Sequence, residues 1–166
     1  NCGKTLSAIE SIEHIDNSNV LWVGPNSALN AVKLEFIKWN FKFKNKITIL
    51  NYEKLKRYVE EMEFHKNQNK IPFILVFDEA SKIKNHMAQR SQAAKFLADI
   101  NRDRYGRDGF ILLMSGSPAP KSPVDWWHIC EVTWPGFIKE GRVDKFRDRL
   151  ALIKSEESET GGIFPR

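Results

Sequence analysis

Three short segments carry residues whose types and order suit phosphate chemistry. The first is Gly3-Lys4-Thr5, which opens into a run with helical spacing, Leu6 to His14. In a phosphate-binding loop, backbone N–H groups wrap an anion, a lysine ammonium bridges neighbouring phosphates and a hydroxyl ligates Mg²⁺. A helix N-terminus adds a dipole of the right sign. The second segment is Asp78-Glu79, at the end of the apolar run Ile74-Leu75-Val76-Phe77. An aspartate there can hold Mg²⁺ through its water shell, and the adjacent glutamate can orient and polarise an attacking water. The third is Ser115-Gly116-Ser117-Pro118, directly after Leu112-Leu113-Met114. Its small hydroxyl residues can hydrogen-bond a carboxylate pair and relay its state. Each segment alone also has a plain reading: a helix start, two acids held by a helix dipole, and a Ser/Gly/Pro turn. Their order along the chain, with two β-α units between the first and second, is what a P-loop site requires.

The elements that must position these segments alternate between strand and helix patterns. Val20-Leu21-Trp22-Val23 is a compact apolar strand stopped by Gly24-Pro25, and Ser27 is placed to cap a helix with apolar positions Leu29, Val32, Phe36 and Trp39. Ile47–Leu50 predicts a second strand, followed by a helix over Tyr52–Met62. The polar stretch His65–Lys70 reads as a surface loop. Phe73–Phe77 and Phe110–Met114 predict two further strands, apolar throughout and therefore buried on both faces, as in a parallel sheet. Helices are expected at Arg90–Asn101, Val124–Val132 (with Trp126 and Trp127 as anchors) and Val143–Ile153, with a charged turn over Arg102–Gly109. The β-α-β-α order implies a three-layer α/β fold with a mainly parallel central sheet, its ligands at the carboxyl ends of the strands.

Composition narrows the setting. The chain has 166 residues, 42% hydrophobic and 28% charged, which suits one globular domain. No apolar run approaches the roughly 18–20 residues that span a bilayer, so no membrane partner is expected. Two cysteines, Cys2 and Cys130, form no disulfide or metal framework and read as reduced thiols of an intracellular protein. His14, His65, His86 and His128 lack zinc-ligand spacing and read as surface or core residues. The net charge of +5 favours polyanionic partners. Positive charge concentrates at Lys33, Lys38, Lys42, Lys44, Lys46, Lys54, Lys56 and Arg57, which read equally as solvated helix and loop faces.

Beyond this generic chemistry, the sequence resembles the Swi/Snf-related ATPases of helicase superfamily 2. Val23-Gly24-Pro25-Asn26-Ser27-Ala28-Leu29, continuing to Glu35-Phe36-Ile37-Lys38-Trp39, is similar to that family's motif Ia. Asn51-Tyr52-Glu53-Lys54-Leu55 resembles its "S-Y-E-x-L" segment, and Asp78-Glu79-Ala80-Ser81-Lys82-Ile83-Lys84-Asn85 its "D-E-A-H-R-I-K-N". Ser115-Gly116-Ser117-Pro118 resembles "T-G-T-P", and Trp126-Trp127 falls where the family often has "E-L-W". The resemblance runs in order from residue 1 to about residue 137 and implies a P-loop, RecA-like lobe of a two-lobe motor that moves on duplex DNA by hydrolysing ATP. It implies that Gly3, Lys4 and Thr5 bind the phosphates, that Thr5 and Asp78 hold Mg²⁺ and that Glu79 activates water. Lys4, Asp78 and Glu79 would then form the catalytic set. Ser115, Gly116 and Ser117 would couple the cycle to the track, and Pro25, Ser27, Lys82, Lys84 and Asn85 would face the nucleic acid, contacting phosphates that carry no base information. Residues 1–154 would be the ATP-binding lobe, begun inside its Walker A loop, and residues 155–166 a linker toward a second RecA-like lobe.

Departures from the family pattern leave alternatives open. Ser81 replaces a histidine that links the acids to the third motif or the second lobe, and it reaches less far and does not titrate. Ser-Gly-Ser replaces Thr-Gly-Thr, Ala119-Pro120-Lys121-Ser122 replaces "L-Q-N", and Asn1 stands where a glycine is frequent. No "Q-x-x-G-R" arginine finger occurs in the chain. Such a finger contributes roughly 10³–10⁵ in rate, so weak turnover is expected from this piece alone. A nucleic-acid-binding module with a vestigial ATP site, an RNA-acting superfamily 2 helicase and a small-molecule P-loop kinase are the competing readings.

Overall fold

In the computed structural model, residues 3–15, 19–41, 46–64, 71–150, 155–157 and 163–165 are described. The expectations for Asn1, Cys2, Lys42, Lys44 and the His65–Lys70 loop lie outside them. Four strands make an all-parallel sheet: β1 (Val20–Gly24), β2 (Ile47–Asn51), β3 (Ile74–Asp78) and β4 (Phe110–Met114), in the order β2-β1-β3-β4. Helices α1 (Lys4–Glu13), α2 (Leu29–Lys38), α3 (Tyr52–Phe64), α4 (Gln89–Tyr105), α5 (Trp126–Thr133) and α6 (Val143–Leu150) complete the main body.

Strand alternation sorts the core into two halves. Val20, Trp22, Ile74 and Val76 point to one face and pack with Ala8, Ile9 and Ile12 of α1 and Val32 and Phe36 of α2. Leu21, Val23, Leu75 and Phe77 point to the other and meet Leu55 of α3, Ala94 and Leu97 of α4 and Val132 of α5. Every residue of β1 and β3 is buried, which is why neither strand shows polar alternation. Burial of one such side chain as large as Phe77 stabilises by about 1.5–3 kcal/mol. On the first face Trp22 meets Phe36 edge-on at 5.2 Å, and Phe36 stacks on Phe41 at 5.0 Å.

Parallel crossovers take one hand, so reversing the direction of travel across the sheet moves the connecting helix to the opposite face. From β1 the chain passes through α2 to β2 on one side. From β3 it passes through α4 to β4 on the other. β1 and β3 lie side by side, with Val20 opposite Ile74 and Val23 opposite Phe77. Their carboxyl ends therefore flank the point where strand order reverses, the crevice in which open α/β sheets bind ligands.

Several local expectations differ from the structure. Ser27 does not cap α2: it lies in a turn over residues 26–28, the cap position is Ala28, and no side chain there bonds the helix start. The Ala28 N–H instead donates to the Pro25 carbonyl at 2.9 Å. The charged turn begins later than expected, because α4 continues to Tyr105 and ends at Gly106. β4 is an edge strand rather than a doubly buried one, and Phe110 is exposed. Ser155–Glu157 and Ile163–Pro165 pair as a two-stranded antiparallel ribbon. Among the described residues, no helix is long and apolar enough to cross a membrane.

Candidate functional site

The site is assembled at the carboxyl edge of the sheet. Gly3 enters α1 in the left-handed region (φ 70°), with open space where a side chain would project. Such a conformation favours glycine, and the first N–H groups of an α-helix have no partner within it. Lys4 is the first residue of α1, and its Nζ lies 3.1 Å from Glu79 Oε1. The two side chains are about one-third exposed, at 30% and 39%, so the pair is accessible and carries little net stability. Thr5 follows within the first turn and is half-buried.

Asp78 ends β3 and is buried, and its Oδ1 accepts the Glu79 N–H at 3.0 Å. Burial raises the Asp78 carboxyl above its ordinary value. The Glu79 charge adds to this, while the hydrogen bond from Glu79 and the Lys4 ammonium oppose it. A carboxylate in that position favours a cation. Glu79 adopts φ 52°, an uncommon conformation for a residue with a side chain. It then leads into a 3-10 turn, Ala80–Ile83, fixed by the buried Ala80 and Ile83. Backbone strain of this kind clusters at functional positions.

Two contacts close the crevice. A Cβ on Gly24 would meet Asp78 Cβ at 3.5 Å, so β1 passes directly beside the acid. A Cβ on Gly116 would approach Lys4 Nζ to 3.3 Å, which brings the loop after β4 onto the amine. In that loop Ser115 Oγ accepts the Ser117 N–H at 3.2 Å. Lys4, Asp78, Glu79 and Gly116 are thus gathered in one place from the three segments singled out in the sequence.

Residues expected to face a polyanion are distributed differently. Pro25 and exposed Ser27 follow β1 at this same edge. Lys82 is exposed, and its carbonyl accepts the Arg90 Nε–H at 2.7 Å. Asn85 uses its Oδ1 on the Met87 N–H at 3.1 Å in a local turn. Lys84 does not present a free ammonium: its Nζ is 2.7 Å from Asp125 Oδ2, and both side chains are largely covered. Between α2 and the carboxyl end of β2 lies a polar recess of about 310 Å³, with Asn26, Asn30, Lys33, Asn51 and Lys54 in its wall. A larger recess of about 810 Å³, with Phe110, Thr133 and Trp134 in its wall, lies around the amino end of β4. It lies away from the strand carboxyl ends where Lys4, Asp78 and Glu79 meet.

Two residues had no assigned role in the sequence reading. The Tyr52 hydroxyl donates to the Asp78 carbonyl oxygen at 2.7 Å from below the acidic pair. Burial pushes that phenol far above its ordinary range, so it remains a donor. Asp125 holds Lys84. Its only sequence signal is the Ser122-Pro123 helix start, where Ser122 Oγ accepts the Val124 N–H at 3.0 Å.

Strand order, layer arrangement and the switch-point crevice define the chain as a RecA-like α/β domain. No protein-family model matches the sequence, and no curated protein matches it. Ten chains among solved structures match. One is the Sulfolobus solfataricus SWI2/SNF2 ATPase core in complex with dsDNA, with a TM-score of 0.62 and 20% sequence identity. That similarity covers 88% of this chain and 32% of the Sulfolobus chain, so this chain spans about a third of that protein's core. At this identity the likeness establishes the fold.

Proposed function

We propose that this chain is the ATP-binding lobe of a SWI2/SNF2-type motor that couples ATP hydrolysis to movement on nucleic acid, duplex DNA above all. The observation that carries the reading is the meeting of Lys4 with Glu79, beside the buried Asp78, at the strand-order switch. The shared fold with a DNA-bound ATPase core supports it.

The residues fit magnesium-ATP. Gly3 and the first turn of α1 offer N–H groups to phosphate oxygens, and Thr5 and Asp78 supply hard oxygen ligands. A bound Mg²⁺ would neutralise charge on the β- and γ-phosphate oxygens. Lys4 would leave Glu79 for the phosphates, since both are anionic partners of one ammonium. Glu79, released, would orient a water and take its proton. Ser115 and Ser117, on the loop that reaches Lys4, would sense the exchange. Lys33 and Lys54, flanking the Asn-lined recess, would hold phosphodiesters without reading sequence. The stabiliser of transition-state charge would come from a second RecA-like lobe, so this lobe alone is expected to turn over slowly.

Titration with a fluorescent ATP analogue and Mg²⁺ tests the reading. Saturable binding is expected, weakened by at least roughly tenfold, about 1.4 kcal/mol, in Lys4→Ala. Equal affinity in both proteins would remove the site from this loop. Absent binding in the presence of intact duplex association would leave a nucleic-acid module. Preference for RNA over duplex DNA at matched salt would change the track.

A further inference from the structure

We infer that the Lys84–Asp125 ion pair is a strut joining the acid-bearing segment to the loop after β4, which makes Lys84 and Asp125 positioning residues for communication between nucleotide and nucleic acid. This rests on the reading of Asp78 and Glu79 as the nucleotide site.

The pair joins residues 41 positions apart at 2.7 Å, with side-chain exposures of 22% and 18%. Solvent screens such a pair less than a surface one. On one side, Glu79 at φ 52° runs into the 3-10 turn whose Ala80 and Ile83 are buried, and Lys84 is the next residue. A change in Glu79, such as loss of its Lys4 partner, is therefore passed along a stiff turn. On the other side, Asp125 Oδ2 also accepts the Lys121 N–H at 3.0 Å, so one carboxylate both holds Lys84 and fixes the 121–125 turn. That turn begins after Ala119-Pro120, which follow Ser115–Pro118, the loop whose Gly116 lies against Lys4. A second contact supports the same tie: the His86 ring meets Trp127 edge-on at 5.7 Å. Among the described residues, no hydrogen bond runs from Ser81 to the 115–118 loop, so the short serine does not make this connection.

The experiment measures the dissociation constant of a non-hydrolysable ATP analogue with Mg²⁺, with and without a saturating duplex oligonucleotide, on the intact protein. The ratio of the two constants is the coupling factor, and it is reciprocal between ligands. A ratio of at least about fivefold is expected in the unmodified protein. It is expected to fall to within about twofold of unity in Asp125→Asn and Lys84→Met and to persist in Lys84→Arg. The analogue constant without DNA should stay within about threefold throughout, which a general loss of structure would not allow. A ratio unchanged in Asp125→Asn, or a ratio of one in the unmodified protein, overturns the strut. So does loss of duplex binding in Lys84→Met with coupling intact in Asp125→Asn, which would make Lys84 a phosphate contact. No analogue binding at all would instead bring down the nucleotide-site reading, and this inference with it.

Discussion

Asp78 is an acid that the fold holds at a cost. Burial first, and then the Glu79 charge, raise its carboxyl above the ordinary value. The folded state therefore keeps this proton at pH values where the unfolded chain has released it, and stability falls as pH rises through that window. Above that window the deficit is fully present. Asp78→Asn is accordingly expected to raise the melting temperature without nucleotide while abolishing Mg²⁺-dependent stabilisation by ATP. Differential scanning fluorimetry with and without Mg²⁺-ATP checks both halves. A variant that melts lower and still gains from Mg²⁺-ATP would remove Asp78 from the metal.

The elements meet the site through single polar ties. The first residue of α3 reaches under β3, where the Tyr52 hydroxyl donates to the buried Asp78 carbonyl. Tyr52→Phe leaves that acceptor without its partner, a cost of about 1–3 kcal/mol. For a domain of this size the expected fall in melting temperature is about 2–4 °C per kcal/mol, with nucleotide affinity reduced as the strand end loosens. A fall confined to stability would restrict Tyr52 to packing. On the same face of the sheet, α5 is tied to α4 by His128, buried with Nε2 3.2 Å from the Ser91 carbonyl oxygen. Burial lowers the imidazole below its ordinary value, and His86 and Lys95 act in the same direction. The Ser91 carbonyl and Glu131 oppose them. The unfolded chain then binds this proton more readily than the folded one, so stability is lost as pH falls below about 6.5. Unmodified protein is expected to lose more melting temperature between pH 7.5 and 5.5 than His128→Gln. Equal losses in the two would place the pH sensitivity elsewhere.

At the scale of the whole molecule, the net charge and the Lys33–Lys54 recess would make the proposed nucleic-acid binding a matter of salt. Each phosphate contact contributes roughly 0.9 to the slope of log affinity against log salt on duplex DNA. Replacing both lysines with alanine is expected to reduce that slope by about 2, uniformly across sequences. An unchanged slope would move the track off this face. Much of this layout was legible beforehand. The apolar runs at 74–77 and 110–114 marked strands of a parallel sheet, and the three-layer α/β architecture followed from their alternation with helical spacing. Less legible were the ends of elements. Ser27 read as a cap because side-chain type signals capping, yet backbone turn geometry placed Ala28 there. β4 read as buried on both faces because its sequence is wholly apolar, yet it lies at an edge of the four-stranded sheet with Phe110 exposed.

What the residues by themselves determined was local: which runs extend, which coil, and that two acids end a buried strand. These follow from side-chain periodicity and from the cost of burying unpaired polar groups, both of which are written in neighbouring positions. Tertiary structure alone decided that the Lys4 amine rests on Glu79, that Glu79 takes a positive φ and that Lys84 is engaged by Asp125 rather than left facing solvent. Such pairings join residues tens of positions apart. Their partners are chosen by strand order and crossover direction, which no short window of sequence contains.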